Sequence, residues 1–230
     1  MRIVDTKQTG SVFWPTFRPR RLGAELDLLE RFLSSPIFSV PPGCEALVFR
    51  EPRLLSGFPD LVVVMWDAKK AALWARERTA LTAMDVRLAH YVYHRGGPTE
   101  KNLRAVFPQA SSCLRRLDAA GIVRSVQGRW HVRPISEVFA ARQIIAVEAK
   151  ISEWSVGLEQ ASLNTWFASS SYLLVPEVRG GNSLLTRARA VGVGIWTETR
   201  ALLEPRRVWK LPLSYTSWFF NEWAWRVSTG

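Results

Sequence analysis

Residues 61–66, Leu-Val-Val-Val-Met-Trp, form an apolar run with no polar alternation. A strand with one wet face alternates apolar and polar side chains. A strand covered on both faces reads as a continuous apolar run, so this hexamer predicts the centre of a sheet. Residues 22–32 predict a helix before it, because Leu22, Leu26, Leu29 and Leu33 recur at three- and four-residue steps. Pro36 to Gly43 breaks the chain, and residues 45–54 predict a second strand, joined to the run by the turn Ser56-Gly57-Phe58-Pro59. The first twenty residues mix Trp14, Pro15, Pro19 and several arginines and read as an irregular arm.

From about residue 79 to 133 the pattern changes to three helices and a hairpin. Residues 85–94 form the first helix, stopped by Gly96-Gly97-Pro98. Thr99 caps the second, and Pro108 separates it from a third around 111–120, which ends at Gly121. Residues 122–126 and 129–133 can pair across Gln127-Gly128. This order, with Leu114, Leu117 and Ile122 as the inward stripe, resembles a winged helix-turn-helix inserted at 77–133 between 1–76 and 134–230. After Pro134 an α/β pattern resumes: a short helix, a strand at 143–151, a helix at 155–169, strands at 172–175 and 191–197, and a Trp-rich tail at 209–227.

Lys and Arg number 31 against 20 Asp and Glu, a net charge of +11 that favours a polyanionic partner through counterion release at phosphates. Apolar content of 47% fills a real core. The apolar runs fall far short of the roughly 20 residues that span a bilayer, and the N-terminus has no signal-peptide core, so a cytoplasmic protein without a membrane partner is expected. Cys44 and Cys113 have no spacing that suggests zinc or a disulfide framework and are expected as reduced thiols.

The residues that carry chemistry lie at strand ends. Asp60 starts the apolar run, and Glu148-Ala149-Lys150 closes another predicted strand, where alternation puts Glu148 and Lys150 on one face. Two carboxylates suit Mg²⁺, with Mn²⁺ as a substitute, because Mg²⁺ takes one or two protein carboxylates together with waters and a phosphate oxygen. Lys150 beside them suits orientation of a nucleophile or neutralisation of charge on a phosphate, so the set points to phosphodiester hydrolysis.

Pro59-Asp60, Glu148-Ala149-Lys150, Gln160-Ala161 and the strand at 172–175 together resemble the PD-(D/E)xK nuclease superfamily, which includes many restriction endonucleases and Holliday-junction resolvases. The resemblance implies a restriction-endonuclease-like α/β core, a mixed sheet flanked by helices, with Asp60 and Glu148 as metal ligands and Lys150 assisting catalysis. It also implies an acidic residue from the first helix, Glu25 with Glu30 second, and a site-ordering role for Gln160. Members usually need only a short hairpin between the Asp and the Glu, whereas this chain inserts the helical module there. The implied activity is DNA cleavage in defence, restriction or mobile-element processing, by a homodimer or within a larger nucleoprotein assembly. The alternative is a non-catalytic DNA-binding or assembly protein on the same scaffold.

On the insert, Ser111, Ser112, Arg115 and Arg116 are expected on or near the exposed face of the third helix, and Arg124, Arg129 and Arg133 on the wing, where they would touch DNA. A protein-docking module is the competing reading. His90 and His94 stand four apart on a helix but lack a third ligand, so they read as partly buried or surface histidines. Trp209, Trp218, Trp223 and Trp225 read as core or interface rather than as a base-stacking platform.

Overall fold

The computed structural model describes residues 1–6, 13–19, 22–55, 57–177, 182–208 and 210–229; Ser56 and Trp209 lie outside them. Among the described residues, seven strands form one mixed sheet: β1 (Arg2–Val4), β2 (Glu45–Arg50), β3 (Leu61–Trp66), β6 (Ala141–Ala149), β7 (Ser170–Leu174), β8 (Gly194–Trp196) and β9 (Ala201–Leu203), in that spatial order. Antiparallel pairing joins β2 to β3 and β3 to β6, parallel pairing joins β6 to β7 and β7 to β8, and β9 returns antiparallel to β8. All six residues of β3 are buried, as its unbroken apolar run requires of a central strand.

Alternation along β3 divides the core in two. Leu61, Val63 and Met65 pack with Leu28, Leu29, Phe32 and Leu33 of helix α1 (Ala24–Ser34). Val62, Val64 and Trp66 face the opposite layer, where Trp218, Phe220 and Trp223 belong to α9 (Tyr215–Thr229). Helix α1 starts later than its leucine spacing predicts. Leu22 lies outside it and is 93% exposed, because Gly23 takes a positive φ of 152° immediately before the first turn. The strand predicted at 45–54 ends at Arg50, since Glu51 enters the left-handed region at φ 44°.

The Trp-rich tail is core. Trp218, Trp223 and Trp225 are all buried, and α9 also carries polar groups that tie it down. Asn221 Oδ1 accepts the Ala140 N–H at 2.8 Å, and Glu222 pairs with Arg78 at 2.9 Å with both side chains sealed from water. Arg226 donates to the carbonyl oxygens of Arg78, Thr79 and Leu81, groups at the end of the 3₁₀ turn Arg76–Ala80.

A short helix α2 (Ala68–Ala71) leads from β3 toward the insert. The insert is built of α3 (Ala83–Arg95), α4 (Glu100–Val106), α5 (Ala110–Ala119) and the hairpin β4 (Val123–Val126) with β5 (Arg129–Val132). Thr82 and Thr99 both make reciprocal capping boxes, and Gln127-Gly128 turns the hairpin with positive φ at both residues, as a two-residue turn demands. Its apolar stripe, including Leu88, Ala89, Leu114 and Leu117, joins the same cluster as Trp218 and Phe220, so α9 packs between insert and sheet. After α6 (Ile135–Val138) and β6, helices α7 (Trp154–Leu163) and α8 (Asn182–Val191) cover the β7–β8 part of the face that α9 covers elsewhere. Among the described residues no helix is long and apolar enough to cross a membrane, and Cys44 and Cys113 are free thiols.

Candidate active site

Leu61 pairs with Val147 across the antiparallel β3–β6 ladder, so the next pair outward is Asp60 with Glu148. Directly opposed residues hold their Cβ atoms about 4.5–5.5 Å apart, close enough for two carboxylates to share one cation. Asp60 Oδ2 accepts the Ala149 N–H at 2.7 Å, which closes the ladder with a side chain. On the other side of β3, Arg50 pairs with Leu61, and Glu51 continues that register by donating its N–H to the Asp60 carbonyl at 3.0 Å. Glu51, Asp60 and Glu148 therefore form one cross-strand row at the end of the sheet.

The row is not uniformly free. Arg18 Nε donates to Glu51 Oε2, and Arg18 Nη2 lies 3.8 Å from Asp60 Oδ1. Arg18 is brought there by the N-terminal arm, whose backbone pairs with the β2–β3 connection through Arg18 N–H to Glu51 O (3.1 Å) and Arg53 N–H to Thr16 O (2.8 Å). With Glu51 neutralised, the row presents Asp60 and Glu148.

Glu148 is buried, and Asn164 Nδ2 donates to its Oε1 at 2.7 Å. Burial pushes the Glu148 carboxyl up to about 8, with the Asp60 charge adding to the rise, while Asn164, Lys150 and Arg18 pull it down. Asp60 is pushed up to about 6, again chiefly by burial; the Ala149 N–H and the Lys150 charge oppose this, and Glu51 and Glu25 add to it. Two largely buried carboxylates whose raised pKa values survive the nearby Lys150 and Arg18 charges favour either a proton or a cation between them. Among the described residues, no group of three or more His, Cys, Asp or Glu side chains is placed to hold a metal ion. The available protein ligands are the carboxylate pair, a set that fits Mg²⁺ with waters and a phosphate oxygen.

Lys150 continues the β6–β7 pairing, donating its N–H to Leu174 O at 2.9 Å. Its ammonium lies 3.2 and 3.4 Å from the two carboxylate oxygens of Glu25, on the first turn of α1. The stem of Lys150 passes over α7 at Gly157, where an added Cβ would stand 2.6 Å from Lys150 Cγ. Glu25 thus meets the site through Lys150. Glu30, the second acidic candidate on α1, pairs instead with Arg50, at 2.9 Å for one of its two bonds.

Gln160 is exposed on α7; the amide that reaches Glu148 is Asn164, one turn further on. Asn164, Gly157, Glu51 and Arg18 are site residues that the sequence reading did not single out. A usable signal existed for two of them. Gly157, Ala161 and Asn164 recur at helical spacing and are all buried, so a small residue and an amide occupy one inward face of α7 and the turn after it. For Glu51 and Arg18 the information lies in strand register, which is nonlocal.

The expected DNA-contacting residues separate into two groups. Arg115, Arg124 and Arg129 are exposed. Arg116 departs from the expected exposed face: its guanidinium makes a two-pronged bond to the fully buried Asp85 at 2.7 and 2.9 Å, tying α5 to α3. Ser111 donates to Glu100, Ser112 to the Gln109 carbonyl at 2.9 Å, and Arg129 to the Gly97 carbonyl at 3.0 Å. Arg133 is half-buried. His90 and His94 stack edge-on at 4.4 Å, and burial, with the His94 charge, pushes His90 down to about 4. Comparisons of the chain with protein-family models, with curated proteins and with solved structures found no match.

Proposed function

We propose that this chain is a Mg²⁺-dependent nuclease that hydrolyses DNA phosphodiester bonds, with a restriction-endonuclease-like core and the three-helix insert as a winged helix that positions the substrate. The supporting observation is the cross-strand opposition of Asp60 and Glu148, the first mostly and the second almost fully buried, with Lys150 just past the end of the Glu148 strand. Asp60 and Glu148 would hold the ion, which when bound polarises a phosphate and acidifies a water. Asn164 fixes the rotation of the Glu148 carboxylate. Arg18 removes Glu51 from competition for the cation. Lys150, held by Glu25 and by its close fit over Gly157, offers an ammonium against charge that builds on the phosphate. The net charge of +11 and the exposed Arg115 and Arg124 suit a phosphate backbone. Such an activity belongs in a cytoplasmic setting of restriction, defence or mobile-element processing.

The test is calorimetric titration of Mg²⁺ and Mn²⁺ into wild type and Asp60→Ala, run beside cleavage of plasmid and oligonucleotide DNA. Binding and cleavage that both disappear in Asp60→Ala are expected. Equal metal binding by the two proteins sinks the proposal.

A further inference from the structure

A groove of about 330 Å³ opens on the α9 side of the sheet, lined by Trp14, Arg53, Leu55, Arg87, Tyr215 and Phe219 among others. Its floor is aromatic and its rim is basic. Arg53 and Arg87 are exposed, and the Arg87 guanidinium lies over the rings of Tyr215 at 5.3 Å and Phe219 at 6.0 Å. Leu55 is 77% exposed at its edge. Flat apolar surface beside fixed cations complements one kind of ligand well, a base with its attached phosphate.

Two chain segments connect this groove to the carboxylate pair. The arm that contributes Trp14 to the groove contributes Arg18, 3.8 Å from Asp60, and the four residue steps from one to the other span at most about 13 Å of chain. On the other flank, the Tyr215 ring packs at 5.6 Å against Trp166, two residues after the Asn164 that bonds Glu148. The volume lies near the lower end of the roughly 300–1,000 Å³ typical of small-molecule sites, which suits one base better than a folded peptide.

We propose that this groove receives an unpaired nucleobase of a single-stranded DNA segment adjoining the carboxylate site. The proposal rests on the nuclease reading and narrows its substrate to DNA with an unpaired element, such as a tail, flap or branch. A base held there needs no partner strand, because stacking and a guanidinium replace its pairing and neighbouring stack.

The experiment is fluorescence anisotropy in EDTA, which separates binding from cutting, with a blunt duplex and the same duplex carrying an oligothymidylate tail. Wild type should bind the tailed form about tenfold more tightly, within the 1–3 kcal/mol assigned to one base on an aromatic platform. Trp14→Ala should lose most of that preference while blunt-duplex affinity stays within about threefold. The surface pair Arg53→Ala/Arg87→Ala should do the same and guards against a fold defect in the arm, with unchanged thermal unfolding as the check. Equal wild-type affinity for the two duplexes overturns the proposal. So does parallel loss of both in the variants, which marks a plain phosphate contact, or displacement by polyglutamate as effective as by oligothymidylate, which marks an acidic protein partner. Cleavage with Mg²⁺ but no tail preference rejects the groove alone, whereas tail preference without cleavage by wild type rejects the nuclease reading alone.

Discussion

Asp60 and Glu148 oppose each other one step beyond Leu61 and Val147 on the β3–β6 ladder, and burial raises both carboxyls above their ordinary values of 3.8 and 4.5, to about 6 and about 8. A group whose pKa is higher in the folded than in the unfolded chain keeps its proton longer when folded. The stability it contributes is complete below the unfolded value and is lost as pH rises through the folded one. Without metal, the protein should therefore lose stability from about pH 4 to 8, by an amount on the order of a few kcal/mol. Thermal unfolding in EDTA across this range checks it. Glu148→Gln should flatten the upper half of the profile, since the amide can still accept from Asn164 but does not ionise. A midpoint that climbs steadily from pH 5 to 8 would contradict the arrangement.

Lys150 should be needed for cutting and not for binding. Lys150→Ala is expected to keep metal and DNA affinity while single-turnover cleavage falls by roughly a hundredfold, the cost of losing one preorganised charge at the transition state. Lys150→Arg should not restore the rate, because a planar guanidinium cannot stand in for a compact ammonium. If Lys150 only pairs with the half-exposed Glu25, its loss is worth about 0–1 kcal/mol and the rate barely moves.

Gly157 is expected to act on the same step through Lys150. A methyl group there would meet Lys150 Cγ at 2.6 Å and Leu173 Cδ1 at 2.7 Å, so one of them has to shift. Gly157→Ala gains about 1 kcal/mol of helix propensity and loses about 1–3 to overpacking, leaving the fold standing. Cleavage should fall by about tenfold or more if the ammonium is displaced, as small misplacements cost that much or more. Retention of the full rate, with the substitution accommodated at Leu173 in a crystal structure, would count against the role given to the Lys150 fit.

Arg115 and Arg116 are neighbours with different jobs. Arg116→Ala leaves the buried Asp85 with its Thr82 and Cys113 bonds but no cation, and should destabilise the protein by about 1–3 kcal/mol, visible in denaturant unfolding. Arg115→Ala should be neutral in unfolding, yet lower the salt dependence of DNA binding by up to about one unit, as expected for one lost phosphate contact. Equal effects of the two substitutions on unfolding would show that the Asp85 bond is not maintained in solution.

Much of the fold is legible locally because it depends on local patterns. The apolar run of β3, the Thr82 and Thr99 capping boxes and the Gln127-Gly128 turn each have a short-range cause, and each residue type is suited to its backbone. Boundaries were less legible where one residue overrides a pattern. Leucine spacing continues back to Leu22, but Gly23 starts the helix after it; apolar content continues past β2, but Glu51 turns the chain.

The sequence alone determined a basic α/β protein with a central strand, a helical insert ending in a hairpin, and acidic and basic residue types at strand ends suited to phosphate chemistry. Only the tertiary structure decided which charges stand together. Asp60 meets the backbone of Ala149 across 89 positions, Arg116 turns inward to Asp85 across 31, and Arg78 meets Glu222 across 144. The physical reason is that periodicity encodes which face of an element loses water, and does so within a few residues. A polar group that loses its water must find its partner wherever register and packing bring one. That choice is made between elements distant in sequence, so Asn164 rather than Gln160 reaches Glu148, and Arg116 is structural while its neighbour Arg115 faces solvent.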